Sequence, residues 1–185
     1  MNKSMMAVAL AGIIGSTAPA AFAADGKITF NGLVEDVTCL VTGGAGTNGA
    51  SGDFSITLPT VSKSALAAAG DRAGDKDFSV IIGGPGQTGC VDGKIAELAF
   101  DAGTSPIDPV TGRLLNQNGT AQVVQVGLLN GTKQDINLND GSNNETAVIA
   151  GNTATLNYWA QYFAPGAGVT SGVVDTFVMY SVVYN

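Results

Sequence analysis

Gly26-Lys27-Ile28-Thr29-Phe30-Asn31-Gly32-Leu33-Val34-Glu35-Asp36-Val37-Thr38-Cys39 alternates with a period of two. Ile28, Phe30, Gly32 and Val34 are apolar or bare, whereas Lys27, Thr29, Asn31 and Glu35 are polar. Such alternation marks a β-strand with one buried face, because successive side chains of a strand point to opposite sides. Near Asp36 the parity changes, and Val37 and Cys39 take over the apolar positions. A strand packed on one core has no reason to switch. Two successive strands serving two different cores do, which predicts an arm at 24–36 ahead of a domain at 37–185.

Residues 1–23 read as a secretory signal. Lys3 supplies the positive start, 5–15 form an unbroken apolar and small run, and Ala21-Phe22-Ala23 fits the small-x-small cleavage pattern. The run is shorter than the roughly 20 apolar residues of a membrane-spanning helix. Cleavage there leaves 185 − 23 = 162 residues, the size of one domain. Lys3 is the only charge removed, so 8 − 1 = 7 basic residues face 15 acidic ones. This balance argues against nucleic acid and anionic lipid, which need a basic face. The chain has 26 glycines, abundant Thr, Asn, Val and Ser, and only 12% charged residues. Helical proteins use more Glu, Lys and Arg, so an exported all-β domain is expected.

Cys39 and Cys90 are the two cysteines. In an exported chain an even count reads as a disulfide. The alternatives are a reactive thiol and a metal site, and the latter needs more ligands than two thiols in a chain that contains no histidine.

Beyond the arm, short alternating runs are separated by turn residues. Residues 53–58 alternate and stop at Pro59, and 62–69 hold one helical turn ended by Gly70. Residues 78–82 and 94–100 read as strands flanking Cys90. Residues 121–129 and 134–138 read as a hairpin around Asn130-Gly131, followed by strands at 147–149, 153–163 and 173–184. Strands of this length and spacing predict a β-sandwich, with 42–52 as a flexible glycine-rich loop.

Several patterns resemble sites without their context. Gly84-Pro85-Gly86-Gln87-Thr88-Gly89 has dinucleotide-loop spacing, but a strand-like run follows where a helix has to start. Residues 139–145 are rich in oxygen ligands without calcium-loop spacing. Asn118, Asn130 and Asn144 begin sequons that matter only in a glycosylating host. Without histidine there is no Ser-His-Asp or Cys-His arrangement. Asp101, Asp108, Asp135 and Asp140 are scattered through polar turns, and spacing pairs none of them as glycosidase carboxylates. No catalytic residue, cofactor or metal is expected.

At the other end, Val178, Tyr180, Val182 and Tyr184 share one parity, and Asn185 follows. An alternating strand at a sheet edge invites pairing with another chain. The plainer alternative is an ordinary final strand in the middle of a sheet. Set beside a surplus strand at the other terminus, the two ends are complementary, one supplying what the other lacks.

The segment from Gly26 through Cys39 resembles the start of pilins of chaperone–usher fimbriae, in the type 1 and related group. So does the C-terminal pattern, with Gly172 fourteenth from the end and Tyr184 penultimate. Tyr158-Trp159-Ala160-Gln161-Tyr162-Phe163-Ala164 is similar to the aromatic strand those subunits carry before their last loop. The order from Phe54 to Cys90 also matches: strand, Pro-containing bend, Ser-Ala-Leu turn, strand, cysteine.

The resemblance implies an incomplete immunoglobulin-like β-sandwich lacking its last strand, completed by a donor strand from a neighbouring subunit. Ile28, Phe30, Gly32 and Val34 become the donated face. Gly172, Val178, Tyr180, Val182 and Tyr184 become the acceptor groove and chaperone contact. The implied partners are a periplasmic chaperone, an outer-membrane usher, neighbouring pilin subunits and a host-cell receptor met through the fimbria. Donor and acceptor are different surfaces, so the contact is head-to-tail and builds an open filament. The alternative is a minor or tip subunit with a glycan pocket that uses Trp159. A single Trp in an alternating strand is, however, expected in the core, and the chain has no room for a separate lectin domain.

Overall fold

In the computed structural model, which describes residues 39–49 and 52–185, alternation along the chain becomes eight strands among those residues. They are β1 (Val41–Gly43), β2 (Arg72–Gly83), β3 (Ile95–Phe100), β4 (Leu114–Leu115), β5 (Gln125–Asn130), β6 (Thr146–Val148), β7 (Thr153–Phe163) and β8 (Tyr180–Tyr184). They form two antiparallel sheets, ordered β1-β2-β7-β5-β4 and β6-β3-β8. The all-β sandwich expected from the sequence is therefore present.

Pleating decides which side chains form the core. In β7, Ala154, Leu156, Tyr158 and Ala160 are buried while Thr155 and Asn157 face out. In β2, Phe78, Val80 and Ile82 take the inner face and meet Ala96 and Leu98 of β3 in one cluster. β2 and β7 pair along nearly their whole lengths, with a register shift between Ala73 and Lys76. Gly74 supplies the positive φ of +73° inside that bulge. Cys39 is disulfide-bonded to Cys90, which is fully buried in the same cluster.

Several expectations change. The helical turn at 62–69 shrinks to a 3₁₀ turn, Lys63–Leu66, capped by Ser62, whose side chain accepts from the Ser64 amide. The glycine-rich stretch at 42–52 is tied down where described: Gly44 donates to the Ser79 carbonyl and Ser79 donates to that of Ala45. The hairpin about Asn130 has one regular arm, β5, while 134–138 returns irregularly through Leu129–Asp135 and Ile136–Leu128 pairing. Among the described residues, 53–58 form no ladder beyond a single bridge between Ser55 and Asn48. The expected strand at 173–184 is regular only over Tyr180–Tyr184, because 173–179 is held by side chains of the 105–120 segment as well as by backbone. The arm at 24–36, its donor positions Ile28, Phe30, Gly32 and Val34, and the signal at 1–23 lie outside the described residues.

Candidate functional site

Two extended segments face each other across the core without pairing. One is 52–58, where Phe54, Ile56 and Leu58 turn inward and Ser55 and Thr57 outward. The other is 174–182, where Val174, Thr176, Val178, Tyr180 and Val182 turn toward the core and Asp175, Phe177, Met179 and Ser181 away. Between them lies a groove of about 920 Å³, floored by Phe78, Val80, Leu98, Val126, Leu128 and Tyr158. The sandwich core is thus open along one line.

Among the described residues, the main chain is also unpaired along the same line. Met179 and Asn185 bond to Asp101 and Ile95 on the β3 side, and Val173 and Asp175 bond to Ala121 and Asn118. These are odd positions. In an extended chain alternate residues bond to opposite sides, so even positions from 174 to 184 present their N–H and C=O to the side that no described strand occupies. β8 is the edge strand of its sheet, with β3 as its only neighbour among the described residues. Across the groove, among the described residues, the main chain of 54–58 exchanges bonds at Ser55, with Asn48.

Two hydroxyls in the lining are buried with no hydrogen-bond partner among the described residues, Tyr158 Oη and Thr176 Oγ1. Burial pushes the Tyr158 phenol well above its ordinary value, with the carboxylates of Glu145 and Glu97 adding to the effect. A phenol that cannot ionise here still requires a partner, and leaving it bare costs about 1–3 kcal/mol. An inserted strand brings main-chain donors and acceptors into such a space. The groove can hold an extended peptide: from Val174 to Val182 is eight steps of about 3.3 Å, roughly 26 Å. From Ile28 to Val34 is six steps, roughly 20 Å.

Val178, Tyr180 and Val182 line the groove. At one end its walls are tied together: Tyr180 Oη donates to the Gly52 carbonyl at 2.6 Å, and the Phe54 and Tyr180 rings lie 6.1 Å apart. Tyr184 is beyond the lining, paired with Ala96 and interacting with the backbone of Cys39. Gly172 is also outside it, in an adjoining hollow of about 410 Å³ that shares Tyr162 and Val174 with the groove. A Cβ on Gly172 would come within 2.5 Å of the Ala121 nitrogen, so close backbone approach requires glycine there. Sequence reasoning missed the opposite wall, Phe54, Ile56 and Leu58, although the alternation that stops at Pro59 was its signal. It also missed Thr176, whose polarity hid its inward parity.

The acids are committed elsewhere. Asp101, Asp108 and Asp140 accept bonds from their own turns, at Gly103 and Thr104, at Val110 and Thr111, and at Ser142. Asp135 binds Arg72 in a fork and Arg113 beside it. All four carboxyls are lowered from their ordinary values by those donors, the opposite of what a general acid needs. Trp159 is not in the core: it lies on the outer face of β7 with Lys133 Nζ 3.9 Å above its ring. Tyr158, its neighbour, takes the inward parity instead.

A family model described as FimA, type-1 fimbrial protein, A, matches residues 58–185. The major fimbrial subunit SMF-1 of Stenotrophomonas maltophilia (strain K279a) is 40% identical over 175 residues, covering 90% of this chain and 96% of that one. The minor fimbrial subunit HifD of Haemophilus influenzae is 31% identical over 176 residues, covering 89% and 76%. Among solved structures, the Burkholderia pseudomallei antigen and type I fimbria protein BPSL1626 shares the fold. Its TM-score is 0.51 at 19% identity, and the match covers 80% of this chain and 97% of that one.

Proposed function

Since the chain belongs to the type-1 fimbrial protein family, we propose that it is a structural subunit of a chaperone–usher fimbria. It polymerises by lending residues 28–34 to the open groove of a neighbouring copy. The observation that carries this reading is the groove between 52–58 and 174–182, open in side chains and main chain along one line. The arm offers the matching periodicity, with Ile28, Phe30, Gly32 and Val34 on one face. Burying Ile28, Phe30 and Val34 at about 1.5–3 kcal/mol each contributes on the order of 5–9 kcal/mol before any ladder bonds form.

In this reading 1–23 is removed on export, 24–36 is the donor arm and 37–185 the body. A periplasmic chaperone occupies the groove until the arm of the next subunit replaces it at an outer-membrane usher. The subunit ends in a cell-surface fimbria and supports adhesion through it. The family is one of structural fimbrial subunits rather than enzymes. Similarity to both a major and a minor subunit leaves either position in the fibre open to the chain. A glycan-binding role draws no support from Trp159, one face of which is covered by Lys133.

A synthetic peptide covering 26–36 tests the reading. Added to subunit freed from its chaperone, it is expected to raise the melting temperature strongly and in proportion to the logarithm of its concentration. An unchanged melting temperature at saturating peptide overturns it. Electron microscopy of a deletion strain then separates rod from tip: loss of all fibres identifies the main subunit, and loss of adhesion alone a minor one.

A further inference from the structure

Exposed apolar side chains gather at the disulfide end of the body. Leu40 is 69% exposed, Val148 59%, Val91 44% and Ile95 39%. Ile95 and Val148 are direct cross-strand partners of β3 and β6. Leu40 and Val91 each adjoin a half of the Cys39–Cys90 bond, and Gly93 donates to the Ile149 carbonyl, which ties the Val91 loop to the end of β6. Nothing in the core or the groove uses these four residues.

Chain length says what covers them. Val34, the last residue of the donated face, is five steps from Cys39. At no more than about 3.6 Å per step the tether spans roughly 18 Å. A body of this size has a radius of gyration of about 15 Å, so it is wider than the tether is long. A copy that holds Val34 in its groove therefore has to lie against the disulfide end of the copy that donates the arm.

We propose that Leu40, Val91, Ile95 and Val148 form a second contact between consecutive copies of this chain, seated on the subunit that accepts the arm. This rests on the donor-strand reading above. The contact is intramolecular in effect once the arm is inserted, so a small apolar patch suffices where it could not hold two free subunits together. It sets the angle between neighbours, which a bare tether would leave loose.

The test places a photo-crosslinking phenylalanine at Val148, and separately at Leu40, in the full chain assembled into fibres with its chaperone and usher. Both side chains are more than half exposed, so neither replacement disturbs the core. Irradiation is expected to join adjacent subunits from either position, and to join none when 24–32 is deleted. A further variant, Leu40→Glu with Val148→Glu, should lower fibre yield several-fold while leaving the melting temperature of peptide-filled subunit unchanged. Fibres that form at full yield in the double variant, or that give no cross-link from either position, overturn the proposal. The 26–36 peptide separates the two failures: if it stabilises the subunit while both positions stay silent, only the patch is wrong. If it does not stabilise, both readings fall.

Discussion

Cys90 follows the turn after β2, and its sulfur lies under Gly83, which holds a φ of +76°. A Cβ at that position would press on the Asn152 carbonyl and come within 2.6 Å of Cys90 Sγ. Glycine and disulfide therefore occupy one fitted space, which local periodicity does not reveal. The bond itself was legible from export and an even cysteine count. It closes a separation of 51 residues, so the Cys39→Ala, Cys90→Ala pair should lose about 4 kcal/mol of stability, measured by urea unfolding. Asp135 supports a second expectation. The hydrogen bonds from Arg72 hold its carboxyl below the ordinary 3.8. A depressed folded value stabilises the protein above the unfolded value, and that stability is lost as the pH falls through the folded one. Asp135→Asn should thus be less stable at neutral pH, and the two unfolding curves should converge below about pH 4. The pair is about one-third exposed, so the difference is screened and stays near 1 kcal/mol. Trp159 was misread for a related reason: two aromatics stand side by side in β7, and composition cannot say which one shares the inward parity.

At the scale of elements, periodicity reported the inward parity of both groove walls but not how much of each is held in a ladder. Residues 53–58 and 173–184 both alternate as strands do, yet among the described residues most of their length has no regular ladder. A side-chain pattern records what lies above and below a strand, while a ladder depends on what lies beside it. The groove exists because those two properties diverge along one line. Gly172 and Tyr184 were assigned to it by position in the chain and stand just beyond its two ends. Charge placed in the lining should abolish its use. Val178→Asp with Val182→Asp puts carboxylates where they lose hydration without gaining a partner. Chaperone co-purification should fall to background and the subunit should be degraded. Ser181→Asp, on the exposed face of the same strand, should co-purify normally. Equal retention of chaperone by both variants would count against the groove as the chaperone's seat.

For the whole molecule, the sandwich class followed from strand lengths and turns, whereas the sheet order did not. β2 pairs with β7 across some eighty residues, and no local signal specifies such a partner. The parity switch near Asp36 is different, because it speaks directly about assembly. If 28–34 serves another copy's core, it adds little to the stability of its own subunit. Deleting 24–32 should then give a folded, disulfide-bonded, chaperone-bound monomer whose melting temperature matches that of the full chain in the same complex. That monomer should accept an arm and be unable to give one, so it terminates fibres when mixed with the full chain. Gly32→Leu should act in the same direction, since overpacking a fitted groove costs roughly 1–3 kcal/mol or more. A self-contained sandwich that used this strand in its own sheet would behave in the opposite way. The deletion would then unfold the subunit, because a core strand is removed, and the added 26–36 peptide would leave the intact chain unchanged. Thermal melts of the deletion and of peptide-treated subunit, run side by side, separate a strand made for a neighbour from one made for its own fold.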